Sequence, residues 1–301
     1  EGSKWHIFRY FSMAANYLLM MFYTTIGGWM LAYFVKMAKG DFKGADTKQV
    51  ENIFGQLTGD RNEMLFWMIL ISAIGLLICS MGLQKGVELI TKIMMSSLLV
   101  IMVVLVARAV TLPGAMDGLK FYLLPDFGKM AESGIKEAVF AAMGQAFFTL
   151  SVGAGSLAIF GSYIGKERSL AGEAVSITAL DTFVAVVAGL IIFPACFAFG
   201  VNPGQGPGLV FVTLPNVFRE MAGGRLWGTL FFLFMTFAAL STIVAVFQNI
   251  IQYGRDLWGW TLKKSVAING VLLILLGIPC VLGMTDWAGF TIGGKNIMDM
   301  E

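Results

Sequence analysis

The segment Gln145-Ala-Phe-Phe-Thr-Leu-Ser-Val-Gly-Ala-Gly-Ser156 decides how the rest of this chain is interpreted. It lies inside an apolar stretch, residues 138–164, that is long enough to cross a bilayer. Three polar side chains, Gln145, Thr149 and Ser151, precede two glycines separated by one residue. Unpaired backbone groups are costly in hydrocarbon, so a helix opens there only inside protein or beside a cavity. The pattern predicts either a discontinuous helix that binds a solute near the membrane midplane or a helix kinked by close packing.

The composition of the chain is that of an integral membrane protein with helical spans. Hydrophobic residues make up 57% of the 301 residues, charged residues make up 13%, and the mean hydropathy is +0.77. Soluble domains usually carry about 25% charged residues. The formal net charge of +2 is too small to indicate a nucleic-acid partner. The sequence contains no nucleophile triad, phosphate loop or metal-ligand motif, so an enzyme is not predicted.

The chain contains about seven apolar stretches long enough for membrane helices, and we treat residues 1–301 as a single transmembrane domain. The stretches cover residues 11–35, 64–83, 87–110, 138–164, 174–199, 226–252 and 265–284. Basic residues concentrate in connections that share one side if the spans alternate, and the positive-inside rule makes that side cytoplasmic. The opposite, extracellular side includes residues 200–225, which are too apolar for a solvated loop. They are predicted to form short helices that either cover a vestibule or pack on the bundle.

Three further polar features lie inside the apolar spans. Asp181 is a carboxylate within a span, where a charge usually pairs with an ion, a proton or a polar group; hydration near a helix end is the alternative. Ser241 and Thr242 place two hydroxyls side by side, which either coordinate a small hard cation such as Na⁺ or bond to the preceding turn. Tyr23 places a phenol in mid-span, where it donates either to a carboxylate ligand or to a neighbouring carbonyl.

The order of these features along the chain resembles the neurotransmitter:sodium symporters, particularly their bacterial amino-acid transporters. The matching motifs are Gly82-Leu-Gln-Lys-Gly-Val-Glu88, Leu112-Pro-Gly-Ala-Met-Asp-Gly-Leu-Lys-Phe-Tyr122 with Pro125-Asp-Phe127, Gln145-Ala-Phe-Phe-Thr-Leu-Ser-Val-Gly-Ala-Gly155, Phe211-Val-Thr-Leu-Pro215, Ala238-Ala-Leu-Ser-Thr242 and Gly294-Lys-Asn-Ile-Met-Asp299. The resemblance covers essentially the whole chain. It implies an all-α, LeuT-type inverted-repeat transporter whose discontinuous helix lies near 145–156. The family has twelve spans, and this chain resembles spans three to nine, so we expect a fragment.

The resemblance also implies which residues bind the solute and the ions. The substrate-binding residues would be Tyr23, Phe148, Thr149, Ser151, Gly153, Ala154, Thr242 and Val246. A first sodium site would use Thr149 and Asp181. A second sodium site would combine the carbonyl of Ala238 with the hydroxyls of Ser241 and Thr242.

Individual roles follow from the same resemblance. Tyr23 would hydrogen-bond the substrate carboxylate, while carbonyls of the opened span would hold the amino group and Phe148 would close over it as an aromatic lid. Chloride-dependent relatives have a neutral asparagine where this chain has Asp181. This carboxylate, with Gln145 at the family's anion site, would therefore replace bound chloride. Ala154 stands where many relatives have a larger residue, which implies room for a bulky substrate side chain.

The expected function is sodium-coupled symport of an amino acid, or a related small amine or carboxylate, by alternating access and without chloride. The expected location is the plasma (inner) membrane of a bacterium. Na⁺ at two sites is expected and no organic cofactor is; the partners are the small-molecule substrate and the lipid bilayer. Two alternatives remain. One is a proton-coupled amino-acid permease of the same fold, against which Ser241 and Thr242 argue, and the other is a truncated homologue that does not transport.

Overall fold

The computed structural model of the chain describes residues 7–152, 161, 165, 169–200, 208–287 and 289. Within these residues the chain is helical, and no β-strand occurs among them. The α-helices are α1 (Phe8–Lys39), α2 (Thr47–Gly59), α3 (Arg61–Ser80), α4 (Leu89–Val110), α5 (Ala115–Leu123), α6 (Phe127–Ser133), α7 (Ile135–Thr149), α8 (Leu170–Ala198), α9 (Leu214–Glu220), α10 (Gly224–Trp258) and α11 (Leu262–Met284). Two π-helical turns, Leu83–Glu88 and Leu209–Thr213, precede α4 and α9. The predicted all-α class is confirmed.

Six of the described helices are long and apolar enough to cross a membrane. They are α1, α3, α8, α10 and α11, together with Gly86–Val110, which joins the end of a π-helical turn to α4. Each of the six overlaps one span predicted from the sequence. The remaining predicted span, 138–164, is described as far as α7 and the turn that follows it. Most of its second half lies outside the described residues.

The chain divides into two compact units. Unit 1 comprises residues 1–101 and 206–301, and unit 2 comprises residues 102–205. In unit 1, the long helix α1 packs against α3, α10 and α11, and these three helices also pack against one another. In unit 2, α5 packs along α8, and α6 contacts α7. The single-domain organisation expected from the sequence stays a prediction.

Close contact between α1 and α3 depends on a glycine. A Cβ atom on Gly28 would lie 2.8 Å from the backbone nitrogen of Met68 and 2.9 Å from the carbonyl carbon of Trp67. Backbone atoms cannot turn aside as a flexible side chain can, so any side chain at Gly28 would push the two helices apart. The apolar core beside this contact contains the fully buried residues Met20, Ile71, Ile243, Phe247 and Ile251.

The apolar segment between α8 and α10 forms short helices within its described part. The turn Leu209–Thr213 leads directly into α9. The ring of Phe211 stacks on Phe54 with centroids 5.4 Å apart, and it meets the edge of Tyr33 at 5.1 Å. Phe211 is therefore part of the core of unit 1, which favours packing on the bundle, one of the two alternatives that the sequence left open.

Candidate substrate and sodium sites

Helix α7 ends inside the segment where the sequence predicts a helix break. Thr149 is its last residue, and Ser151 adopts the left-handed conformation with φ of 52°. The amide of Ser151 donates to the carbonyl of Phe148, and the amide of Val152 donates to the carbonyl of Phe147, both at 3.0 Å. These two bonds form a Schellman motif, whose left-handed position is usually glycine. A serine in this position is strained, and such strain is typical of functional sites.

The structure brings Thr149 and Asp181 together within unit 2. The hydroxyl of Thr149 donates to the carboxylate of Asp181, at 3.0 Å to Oδ1 and 3.1 Å to Oδ2. Asp181 is half-buried, whereas Thr149 is exposed. Gln145 lies one helical turn before Thr149, on the same face of α7. This arrangement offers a charged and a neutral oxygen, the type of ligand that hard cations prefer.

The second group of predicted residues lies in unit 1, where α1 meets α10. Tyr23 of α1 and Thr242 of α10 lie opposite each other across the two helices. The hydroxyl of Ser241 donates to the carbonyl of Ala238 at 2.8 Å, and Thr242 donates to the same carbonyl at 3.3 Å. The bond to the preceding turn, which the sequence left as the alternative, is therefore present. It holds two hydroxyl oxygens beside a carbonyl oxygen, and each hydroxyl keeps lone pairs that can coordinate a cation.

The other predicted pocket residues are divided between the units. Val246, one turn after Thr242 on α10, is buried in unit 1. Phe148 belongs to unit 2, where 58% of its surface is exposed. Gly153 and Ala154 lie outside the described residues.

Sequence reasoning missed a set of polar side chains between α1 and α10. The Nδ2 atom of Asn249 donates to Oδ1 of Asn16 at 3.1 Å, and both residues are fully buried. The hydroxyls of Ser12 and Tyr253 lie 2.7 Å apart. The available signal was the presence of asparagines inside or beside apolar spans, where polar side chains commonly bond across helices.

Six long apolar helices, with a strained turn at the end of the shorter α7, are typical of an integral membrane protein. A sequence model described as "Sodium:neurotransmitter symporter family" matches residues 47–300. This chain therefore belongs to the sodium:neurotransmitter symporter family, whose members are sodium-coupled transporters and not enzymes.

Individual relatives agree with this membership. The chain is 34% identical over 305 residues to the uncharacterized sodium-dependent transporter YhdH of Bacillus subtilis (strain 168), covering 99% of this chain and 65% of that protein. It is 34% identical over 300 residues to an uncharacterized sodium-dependent transporter of Haemophilus influenzae, covering 98% of this chain and 65% of that protein. The chain thus spans 65% of the length of these curated relatives.

A solved structure confirms the predicted fold. The crystal structure of MhsT in complex with L-phenylalanine superposes on this chain with a TM-score of 0.88 and 37% sequence identity. The superposition covers 99% of this chain and 67% of MhsT. The LeuT-type fold and the resemblance that the sequence motifs indicated are both confirmed.

Proposed function

We propose that this chain is the main part of a bacterial plasma-membrane transporter that carries an amino acid, or a related small amine or carboxylate, together with Na⁺. The observation that carries the proposal is the Thr149–Asp181 pair at the end of α7, which places a negative charge beside a hydroxyl oxygen between two apolar helices. Membership of a sodium-coupled family supports Na⁺ as the driving ion. The L-phenylalanine bound to MhsT supports an amino acid as the substrate.

Asp181 and Thr149 form the first proposed sodium site. A bare carboxylate within an apolar span is expensive, and a bound Na⁺ would neutralise it. The Thr149 hydroxyl donates a hydrogen bond to Asp181, so the lone pairs of the hydroxyl oxygen remain available to the same ion. Sodium binding and the closing of this helix end are therefore coupled in the proposed mechanism.

The end of α7 is also suited to the amino group of the substrate. A helix C-terminus carries partial negative charge and presents carbonyl oxygens that lack partners within the helix, so it favours cations. The carbonyls of Phe148, Thr149 and Ser151 lie at this end. The Phe148 carbonyl already accepts the amide of Ser151, but a carbonyl oxygen has two lone pairs and can accept a second donor. The exposed Phe148 ring is the proposed lid over the bound substrate, and Gly153 and Ala154 remain proposed pocket residues.

Tyr23, Thr242 and Val246 of unit 1 are further proposed substrate-binding residues. The phenol of Tyr23 would donate to the substrate carboxylate, and the buried apolar side chain of Val246 would contact the substrate side chain. Ala238, Ser241 and Thr242 form the second proposed sodium site, because one carbonyl and two hydroxyl oxygens already lie on one helical turn.

Transport would follow alternating access, in which the loaded site is exposed to one side of the membrane and then to the other. Each positive charge that moves inward with the membrane potential contributes about 2.3 kcal/mol per 100 mV. The charge of Asp181 would take the place of a bound chloride ion. Gln145, one turn before Thr149 on α7, would be the polar residue beside that charge. Uptake would then be independent of chloride.

The test is uptake of a panel of labelled amino acids by the complete natural protein in lipid vesicles. An inward sodium gradient is expected to drive accumulation of at least one of them, and replacement of Na⁺ by choline is expected to abolish it. Accumulation that follows an imposed proton gradient without Na⁺ would instead identify a proton-coupled permease. A correctly folded protein that binds Na⁺ but accumulates none of the panel would contradict the proposed substrate class.

A further inference from the structure

Two hydrogen-bonded side-chain pairs join α1 to α10, and a third pair of facing side chains follows the same helical register. The hydrogen-bonded pairs are Ser12 with Tyr253 and Asn16 with Asn249. The third pair is Tyr23 and Thr242, which face each other. From the first pair to the second, the chain advances four residues along α1, from Ser12 to Asn16, and goes back four residues along α10, from Tyr253 to Asn249. From the second pair to the third, it advances seven residues along α1 and goes back seven along α10. Steps of four and seven return to one face of a helix, so all three pairs lie along a single antiparallel seam.

Of the pairs along this seam, the asparagine pair depends most on the exact position of the two helices. Both asparagines are fully buried, and Nδ2 of Asn16 also donates to the carbonyl of Ser12 at 2.6 Å. Sliding one helix along the other by a single turn would move these amides about 5.4 Å and break the bond between them. A buried amide that loses its partner is destabilising, so breaking this bond carries a cost that aliphatic contacts do not. The bond therefore strongly favours one register.

The apolar contacts beside the seam do not have this selectivity. Gly27 of α1 faces Ile243 and Ala239 of α10, where a Cβ atom on Gly27 would lie 2.9 Å from Ile243 Cδ1 and 3.8 Å from Ala239 Cβ. Such contacts are non-directional and can be remade after a shift with other aliphatic side chains. A single buried asparagine pair is known to define register between helices for this reason.

We propose that Asn16 and Asn249 are positioning residues that hold Tyr23 against Thr242 by fixing the axial register of α1 and α10. The inference rests on the proposed function, because it takes Tyr23 and Thr242 as ligand-binding residues. The amide pair lies seven residues, or about 10.5 Å of helix, from the Tyr23–Thr242 pair, so neither asparagine reaches the substrate or the ion. Their effect on binding is indirect and acts through the helix axes.

The test uses Na⁺ itself as the probe in the complete natural protein. The melting temperature is measured against NaCl concentration, with choline chloride keeping the ionic strength constant. The variants are Asn16→Leu, Asn249→Leu and the double variant. Each is expected to raise the sodium concentration for half-maximal stabilisation about threefold to tenfold, the range of effect known for hydrogen bonds between membrane helices. The double variant is expected to need no higher sodium concentration than the single variants. It leaves neither asparagine amide without the other, so it is also expected to fold most readily of the three.

Two controls separate positioning from a general effect on folding. Thr236→Val removes a buried hydroxyl of α10 that donates to Phe232 of its own helix at 2.7 Å, and it should leave the sodium dependence unchanged. In a Thr242→Ala background, Asn16→Leu should cause no further weakening, since the residue through which it acts is already lost. Fully additive losses in that background would overturn the positioning role.

The outcomes also distinguish this inference from the proposed function. If Thr242→Ala weakens sodium binding but the double asparagine variant titrates like the native protein, only the positioning role is wrong. If Thr242→Ala itself has no effect on sodium binding, the second sodium site is wrong, and the positioning role is overturned with it.

Discussion

The hydroxyl of Thr149 donates to both carboxylate oxygens of Asp181, so the last turn of α7 is tied to the interior of α8 across 32 positions of sequence. A neutral donor uses part of the acceptor capacity of a carboxylate but leaves its charge in place. The charge therefore remains available to a cation that binds beside the end of α7. Both the sodium coupling and the chloride independence proposed for this protein depend on that charge.

The first prediction concerns Asp181→Asn. We expect the apparent sodium affinity of uptake to fall at least about tenfold, because the amide removes a charged ligand whose interactions are worth more than 1.4 kcal/mol. We also expect uptake by the variant to be stimulated by chloride, whereas native uptake should be the same in chloride and gluconate. Glu173→Gln, which neutralises a carboxylate in the first turn of the same helix, is the matched control. A native protein that stops transporting in gluconate would contradict the proposed role of Asp181.

The second prediction concerns Tyr23→Phe, which removes the proposed donor to the substrate carboxylate. Affinity for the transported amino acid should fall about tenfold, because a hydrogen bond to a charged group contributes about 1.5–3 kcal/mol. The native protein should bind the amino acid much more tightly than its carboxamide, and the variant should discriminate less between them. Competition binding with both compounds measures this difference. Equal discrimination by the two proteins would show that Tyr23 does not contact the carboxylate.

Much of the fold could be predicted because apolarity over about twenty residues is visible in the sequence itself. Helices α1 and α10 extend to 32 and 35 residues, beyond the predicted spans 11–35 and 226–252, because a helix can continue after its apolar stretch ends. Which helices would pack together was not visible, since apolar surfaces carry no directional information. The close approach of α1 to α3 at Gly28 depends on that packing.

The candidate sites were partly predictable for a similar reason. A break near residues 145–156 was expected from the glycine pair, but α7 already ends at Thr149 and its left-handed residue is Ser151. The preference for glycine at such positions is statistical, and here a serine takes the left-handed conformation despite its strain. The Asn16–Asn249 bond was not predicted, because it depends on the register of two helices separated by 233 positions.

The third prediction tests the strain at Ser151. Ser151→Gly should raise the melting temperature, because a non-glycine residue in the left-handed region costs about 1 kcal/mol. Ser151→Val should lower it, since a β-branched residue fits this region poorly. Both variants keep the backbone carbonyl that is the proposed ligand atom. The comparison therefore measures the effect of backbone conformation without the loss of that atom. A Gly variant that is less stable than the native protein would mean that the Ser151 side chain contributes more than its backbone conformation costs.

The fourth prediction concerns the hydroxyl of Tyr33. This residue is fully buried among Phe42, Phe54, Phe211 and Phe232, and its hydroxyl has no hydrogen-bond partner among the described residues. Tyr33→Phe should therefore leave the melting temperature unchanged or raise it. The expected gain in the free energy of unfolding is at most about 1 kcal/mol. Tyr33→Ala should cost about 3–5 kcal/mol, because it removes the whole ring from the cluster. A marked loss of stability in Tyr33→Phe would reveal a partner for the hydroxyl.

The fifth prediction compares two glycines that both lie within helices. At Gly28 a new Cβ would meet the backbone of α3 at 2.8 Å, whereas at Gly55 no atom beyond its chain neighbours and the backbone of its own helix α2 lies within 4 Å of the new Cβ. Gly28→Ala should destabilise the protein by about 1–3 kcal/mol, because the helices must separate to admit the methyl group. Gly55→Ala should stabilise it by about 0.5–1 kcal/mol, since alanine has the higher helix propensity. Thermal unfolding of the two variants side by side tests the contact between α1 and α3. Both variants gain the helix propensity of alanine, but only the alanine at position 28 meets the backbone of a second helix. Equal stabilisation of both variants would mean that α1 and α3 are not in backbone contact at this position.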